Sequence, residues 1–573
     1  MAVFISLVRL FLFALSSLGT WEIFRRKSNI NVYFLPSLTI AAQTAILFLA
    51  GLFNLLLEVT WLLYLLGFFG LVYSIYRDKG VRFLLHYCNV GFVFLTLVSC
   101  VLLVFLKGQM FTHYDNFSHW ALVVQRMLGV NRFPNFEDTI IGFTSYPLGS
   151  ATYIYYLAKL VSNSESVQMF AQAYMMLACI IPLFVLANRH RVAVFITLLA
   201  ATNFIFAYNI TITNLLVDTL LPLVGACGLF FVYQYCTNGG RFELYCAALY
   251  MVQLMQIKNS GLFFVALMII LILIHFRNGH WRTRIFSIIA PFASLVLWQR
   301  HCSYVFSNSE MSKHAMTVEN YSANISSKTW EDIQSICSAM VKFIFTWKDV
   351  WLAFAVLILV GLITLLVSRR MIKLFLKLMA VCVAIYLVYQ VGMLAMYLFS
   401  MPMREAATLA SSTRYTKTIL IFLLYFILAY AIQMISSLES RRNLLISSSG
   451  IVVAFFAYMY FAFGSVTIIS WPSSNSAIRS WVESVRDEYA LPNGDSYSFL
   501  ASSGDASYMT YLGRYVFRST SVKSIVATSP DDLNKIDTHY IIVFDQDNAV
   551  ANEWIRANYP DQYGSDVIVR NSD

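Results

Sequence analysis

Short charged clusters break the chain into apolar runs close to 20 residues long, and this repeat decides its class. A helix rises about 1.5 Å per residue, so a run of that length matches a hydrocarbon core of about 30 Å. Fourteen runs read as spans: 3–20, 32–55, 58–76, 84–106, 166–187, 192–209, 214–236, 242–257, 260–276, 284–299, 346–368, 373–399, 417–437 and 445–469. Buried helices of a soluble protein rarely meet the length rule this often. Composition agrees: 59% of the 573 residues are hydrophobic and 12% charged, about half the charged share of a soluble domain. Residues 1–19 have the look of a secretory signal. However, Arg9 interrupts the apolar stretch and no small-residue cleavage site precedes Arg25-Arg26-Lys27, so they read as the first span.

The formal charge of +10 would suggest a nucleic-acid partner in a soluble chain. Here the basic residues lie between spans. The clusters Arg25/Arg26/Lys27, Arg77/Lys79/Arg82, Arg189/Arg191, Arg241, Arg277/Arg282/Arg284, Arg369/Arg370/Lys373 and Arg441/Arg442 fall on one face if every run crosses. Such a bias marks the cytoplasmic side, so the charge is a matter of topology and implies no nucleic acid. The expected protein is a multi-pass cell-membrane protein. The loops 107–165, 300–345 and 400–416 and a polar tail from 471 fall on the extracytoplasmic face. The chain divides into N-terminal spans 1–83, a transmembrane core 84–470 and a C-terminal domain 471–573. The nine cysteines lie mainly in spans and show no CxxC spacing, so neither a disulfide framework nor a metal site is indicated.

Chemistry-bearing residues gather in the outer loops. Asp115 lies just past the fourth span, where it is placed either to cap the next helix or to do chemistry. Residues 117–128 have helical apolar spacing with Gln125 and Arg126 opposite, as in a helix lying on a membrane. Residues 148–162 form a second such helix, with Tyr153, Tyr155 and Tyr156 suited to the headgroup level. His119, four residues after Asp115, shares its helical face and is a candidate ligand for a phosphate or sugar. Glu137 and Asp138 add an acidic pair. In the loop 300–345, His314, Glu319 and Tyr321 are contact candidates without a spacing argument. The tail reads as a small α/β domain. Trp481–Arg486 is helical there, Tyr497–Ala501 and Tyr540–Phe544 are short buried strands, and another helical stretch starts at Asp531–Asn534.

This arrangement resembles the GT-C superfold of membrane glycosyltransferases, which includes protein O-mannosyltransferases and lipid A aminoarabinose transferases. In that superfold an Asp follows a span and opens an outer loop of two membrane-parallel helices. Asp115 and the helices 117–128 and 148–162 are similar, as is Tyr146-Pro147-Leu148 before the second helix. Asp218 resembles the family's acid near the outer end of a later span. Gln256-Ile257-Lys258-Asn259-Ser260-Gly261 is similar to its Lys-x-x-Gly turn. Arg404-Glu405 and Arg414-Tyr415 resemble its outer Arg-Tyr segment. The acid pair after the span is Asp-Asn here, three spans precede that span, and there is no DxD at Asp115, so a divalent metal is not supported.

The resemblance implies a transferase that moves a sugar from a polyprenyl-phosphate carrier to a glycan, lipid or protein acceptor, with inversion. Asp115 would be the general base, with Lys258 and Arg414 on the carrier phosphate. Tyr415, His119, Asp218, Glu137 and Asp138 are further binding candidates. Two other classes remain open: a polysaccharide polymerase or ligase using lipid-diphosphate glycans, and a lipid or solute transporter.

Overall fold

A computed structural model describes residues 2–28, 30–275, 280–307, 318–466 and 474–570. Each of the fourteen apolar runs contains a helix among the described residues. In chain order the helices are α1 (Ala2–Lys27), α2 (Leu35–Leu52), α3 (Leu56–Arg77), α4 (Val90–Leu106), α5 (Ala121–Val130), α6 (Gly149–Val161), α7 (Glu165–Ile180), α8 (Arg191–Tyr208), α9 (Leu220–Asn238), α10 (Arg241–Ile257), α11 (Leu262–Ile274) and α12 (Trp281–Val305). They continue with α13 (Val318–Ser326), α14 (Trp330–Thr346), α15 (Lys348–Val367), α16 (Ile372–Phe399), α17 (Met403–Ala407), α18 (Ser412–Ser437) and α19 (Arg441–Phe463). Among the described residues, eleven helices are long and apolar enough to cross a membrane, and the segments Val90–Leu106 and Asn259–Ile274 are shorter apolar helices. Three of the fourteen runs fall outside the eleven because their helices α4, α10 and α11 have only 17, 17 and 13 residues. The run 84–106 is helical only from Val90, where the Asn89 side chain accepts from the amides of Gly91 and Phe92 and caps α4.

The chain forms two compact units. The first holds 1–109, 130–133 and 145–469. At its centre α7 and α18 are largely buried, while α3, α12, α15 and α16 turn large apolar side chains outward, Phe69 and Leu366 among them. In water that surface would be a liability, but in lipid it needs no cover. The chain is a multi-pass membrane protein. Between helices in lipid, close packing rather than hydrophobic exclusion supplies the attraction. The α1–α3 contact shows it. A Cβ on Gly67 would lie 2.3 Å from the Ser16 carbonyl oxygen, and Ser16 donates to the Tyr64 carbonyl at 2.7 Å.

Helix α6 corrects an expectation. Tyr153, Tyr155 and Tyr156 are buried in the first unit rather than presented at a surface. α6 packs on α1, α2 and α7, and the Tyr155 hydroxyl reaches Asn131 Oδ1 at 3.0 Å.

The second unit joins 110–129 and 134–144 to the tail from 470. The tail contributes α20 (Ser474–Glu488), β1 (Tyr497–Leu500), α21 (Ala506–Phe517), β2 (Val522–Ile525), α22 (Pro530–Asn534), β3 (Tyr540–Val543), α23 (Ala549–Asn558) and β4 (Val567–Val569). The sheet order is β2-β1-β3-β4, with β1 parallel to β2 and β3, and β4 antiparallel to β3. Leu500, Leu533, Ile541, Ala551 and Ile568 make up part of its core. The α/β expectation for the tail holds. Its boundary differs, because the segment carrying Asp115 folds with the tail and not with the spans.

Candidate functional site

Three separated parts of the sequence meet at Asp218, which is 3% exposed. Asp218 ends the connection from α8 to α9. Gln172 Nε2 holds that connection by donating to the carbonyls of Asn214 at 3.2 Å and Leu216 at 2.9 Å. Lys258 leaves the end of α10 with an extended backbone (φ −163°). The turn closes when the Gly261 amide donates to the Lys258 carbonyl at 2.8 Å. A Cβ on Gly261 would lie 2.5 Å from the Leu254 carbonyl oxygen, which explains the glycine three residues after the lysine. Arg414 sits in the first turn of α18, where Asn209 Nδ2 donates to its carbonyl at 3.0 Å.

Lys258 Nζ lies 2.9 Å from Asp218 Oδ1 and Arg414 Nε lies 3.6 Å from Oδ2. The Tyr415 ring lies beside both cations, 5.2 Å from Lys258 Nζ and 5.5 Å from the Arg414 guanidinium. A buried carboxylate is costly unless paired, and removing a partner from such a pair costs about 3–5 kcal/mol. The two cations jointly satisfy Asp218. An anion reaching this corner would meet a guanidinium, which can grip two oxygens, and an ammonium, which acts as a point charge. Of the residues singled out from the sequence, Asp218, Lys258, Arg414 and Tyr415 are therefore brought together.

The others lie in the second unit. Asp115 occupies the N-cap position of a π-turn, Asn116–Trp120, that leads into α5, and its carboxylate makes no capping bond. The capping reading is thus not realised. Its amide instead donates to His113 Nδ1 at 3.1 Å. π-turns inside helices often mark functional positions. The wider turn also breaks the simple four-residue face expected for Asp115 and His119. Asp115 is half-buried, whereas His119 is buried with its ring against Trp120 and Phe143. Burial pushes the His119 imidazole down to about 3, so it is neutral at pH 7 and supplies no charge to a phosphate. Glu137 is exposed. Asp138 is buried, pairs with Arg126 of α5 and accepts the Asn135 amide at 2.8 Å. That makes it a brace for its loop. His314 lies outside the described residues, as does the side chain of Glu319.

The sequence reading missed a second buried pair one turn further along α18. Lys417 Nζ lies 3.5 Å from Asp349 Oδ2 and 5.1 Å and 5.2 Å from the Tyr208 and Phe463 rings. The Tyr458 hydroxyl donates to the Asp349 carbonyl at 2.9 Å and pairs with the Tyr208 hydroxyl at 2.7 Å. The three-residue interval from Arg414 to Lys417, which puts both on one helical face, was the available signal. Among the described residues no group of three or more His, Cys, Asp or Glu is placed to hold a metal ion. No protein-family model matches the chain, and no curated protein does.

Proposed function

We propose that the protein is a membrane glycosyltransferase of GT-C type, moving a sugar from a polyprenyl-phosphate carrier to an acceptor at the extracytoplasmic face. The observation that carries the reading is the meeting of Lys258, Arg414 and Tyr415 around Asp218. Two cations with an aromatic wall suit an anionic group that arrives and leaves.

In this reading the acceptor hydroxyl attacks the anomeric carbon as its proton passes to Asp115. The sugar–phosphate bond breaks on the opposite face, and the carrier phosphate departs with the electron pair. Lys258 and Arg414 stabilise the charge left on that phosphate, so no acid is required.

The test uses the purified full chain in lipid nanodiscs with polyprenyl-phosphate sugars. Lys258→Met and Arg414→Met should each weaken donor binding about tenfold or more, as expected for a lost charge-assisted contact. Asp115→Asn should bind donor as wild type does but transfer on the order of a hundredfold more slowly. Wild-type turnover in Asp115→Asn would remove it from the mechanism. The Lys417–Asp349 pair favours a second reading, a lipid-diphosphate donor, because it puts another cation one turn from Arg414. Tighter binding of the diphosphate carrier than the monophosphate, lost in Lys417→Met, would select that reading.

A further inference from the structure

The tail has no assigned task in the proposed reaction, yet it grips the segment that carries Asp115. Arg479 of α20 is 4% exposed. It donates to the Phe111 carbonyl at 2.6 Å and to Glu483 at 2.9 Å. Its guanidinium lies between two rings, 5.6 Å from Phe117 and 5.4 Å from Tyr515. The Tyr508 hydroxyl of α21 donates to the Thr112 carbonyl at 3.0 Å. The Tyr114 ring meets Tyr511 edge to face at 4.8 Å.

The backbone carbonyls three and four residues before Asp115, the ring just before it and the ring two residues after it are therefore all held by α20 and α21. A loop opening between spans would otherwise be free to sample many conformations. Each residue fixed costs about 1–2 kcal/mol of chain entropy. Buried bonds to a charged donor and cation–π contacts are strong enough to meet that cost.

We infer that the C-terminal α/β domain is the holder that sets the conformation of residues 111–117, and that Arg479 is a positioning residue for Asp115. This rests on the general-base reading of Asp115. Arg479 touches no reacting atom in that scheme and acts through the backbone at Phe111 and the ring of Phe117. Small misplacements of a catalytic group are enough to cost large factors in rate.

The experiment compares full-length wild type with Arg479→Leu, Arg479→Lys and Tyr508→Phe. Tyr508→Phe removes a single hydroxyl donor and keeps the ring, so it guards against a simple failure to fold. Hydrogen exchange followed by mass spectrometry should quicken across 111–120 in Arg479→Leu and Tyr508→Phe, with the spans unchanged. Transfer from a polyprenyl-phosphate sugar should fall in kcat on the order of tenfold in Arg479→Leu, with KM for the donor held within about twofold. Arg479→Lys, which keeps the charge and loses the fork, should recover part of the rate.

Unchanged exchange at 111–120 in both variants overturns the holder. Quickened exchange with kcat intact overturns the positioning role. The general-base reading fails separately, by wild-type transfer in Asp115→Asn, and the exchange measurement does not depend on it.

Discussion

At the scale of single residues, the candidate site separates charges that work in pairs from charges that only brace. Asp218 faces two cations, whereas Asp138 pairs with Arg126 of its own loop and accepts a backbone amide three residues away, which is the pattern of a loop fastener. His119 gives a prediction with a definite sign. Its folded imidazole titrates at about 3 against an ordinary 6.5. The unfolded chain therefore binds a proton that the folded chain refuses, and stability falls as pH drops below 6.5 towards 3. The loss from this group should reach about 2 kcal/mol by pH 5, since each pH unit below the unfolded value adds about 1.4 kcal/mol. His119→Phe, which keeps an aromatic ring against Trp120 and Phe143, should flatten the stability curve between pH 6.5 and 5. Thermal unfolding of the purified protein across that range would show it. An unchanged slope would mean that another group sets the acid limb.

At the scale of elements, the length rule made the helices legible, because a run near 20 residues permits few structures in lipid. It could not show which faces are buried. Tyr-rich α6 carries the same pattern whether its rings meet headgroups or a helical core, and the structure buries them. Strands of three or four residues, such as β2 and β4, leave too short a pattern to find. The bond from Arg479 to Phe111 spans 368 residues of sequence, and no local periodicity encodes such a contact. Likewise Asp218, Lys258 and Arg414 were each readable as candidates, but their meeting was not. The α1–α3 seam provides a test at this scale. Gly67→Leu drives a side chain into the Ser16 backbone and should cost about 1–3 kcal/mol, as overpacked sites do. Gly392→Ala in α16, where a Cβ meets nothing within 4 Å, should be neutral or stabilising, because alanine suits a helix interior better than glycine. Melting temperatures of the two variants in the same detergent make the comparison. Equal losses would deny that the seam depends on close approach.

At the scale of the whole molecule, the contacts constrain the parity of the crossings. Residues 110–129 and the tail belong to one folded unit, so the chain must cross an even number of times between them. Eight of the long apolar helices lie in that interval. Helices α10 and α11 must then both cross or both fail to cross. The ion pair between Lys258 and Asp218 decides which. Asp218 precedes α9 by two residues and Lys258 follows directly on α10, yet their side chains touch at 2.9 Å. α10 therefore returns along the full height that α9 descends. Its 17 residues reach about 25 Å, short of an average core but tolerable with local thinning. If α9 crosses, α10 crosses, and α11 with it. The expectation to be tested is that both cross, which would make ten crossings after α4 and fourteen if α1 to α4 cross as well. In a cysteine-free background, Asn238→Cys and Ser260→Cys should react with a membrane-impermeant maleimide from opposite faces of sealed vesicles. Phe136→Cys and Asp561→Cys, both in the second unit, should react from the same face. Labelling of Asn238→Cys and Ser260→Cys from one face would make α10 re-entrant. The anion corner at Lys258 would then be reached from within the membrane rather than from its surface.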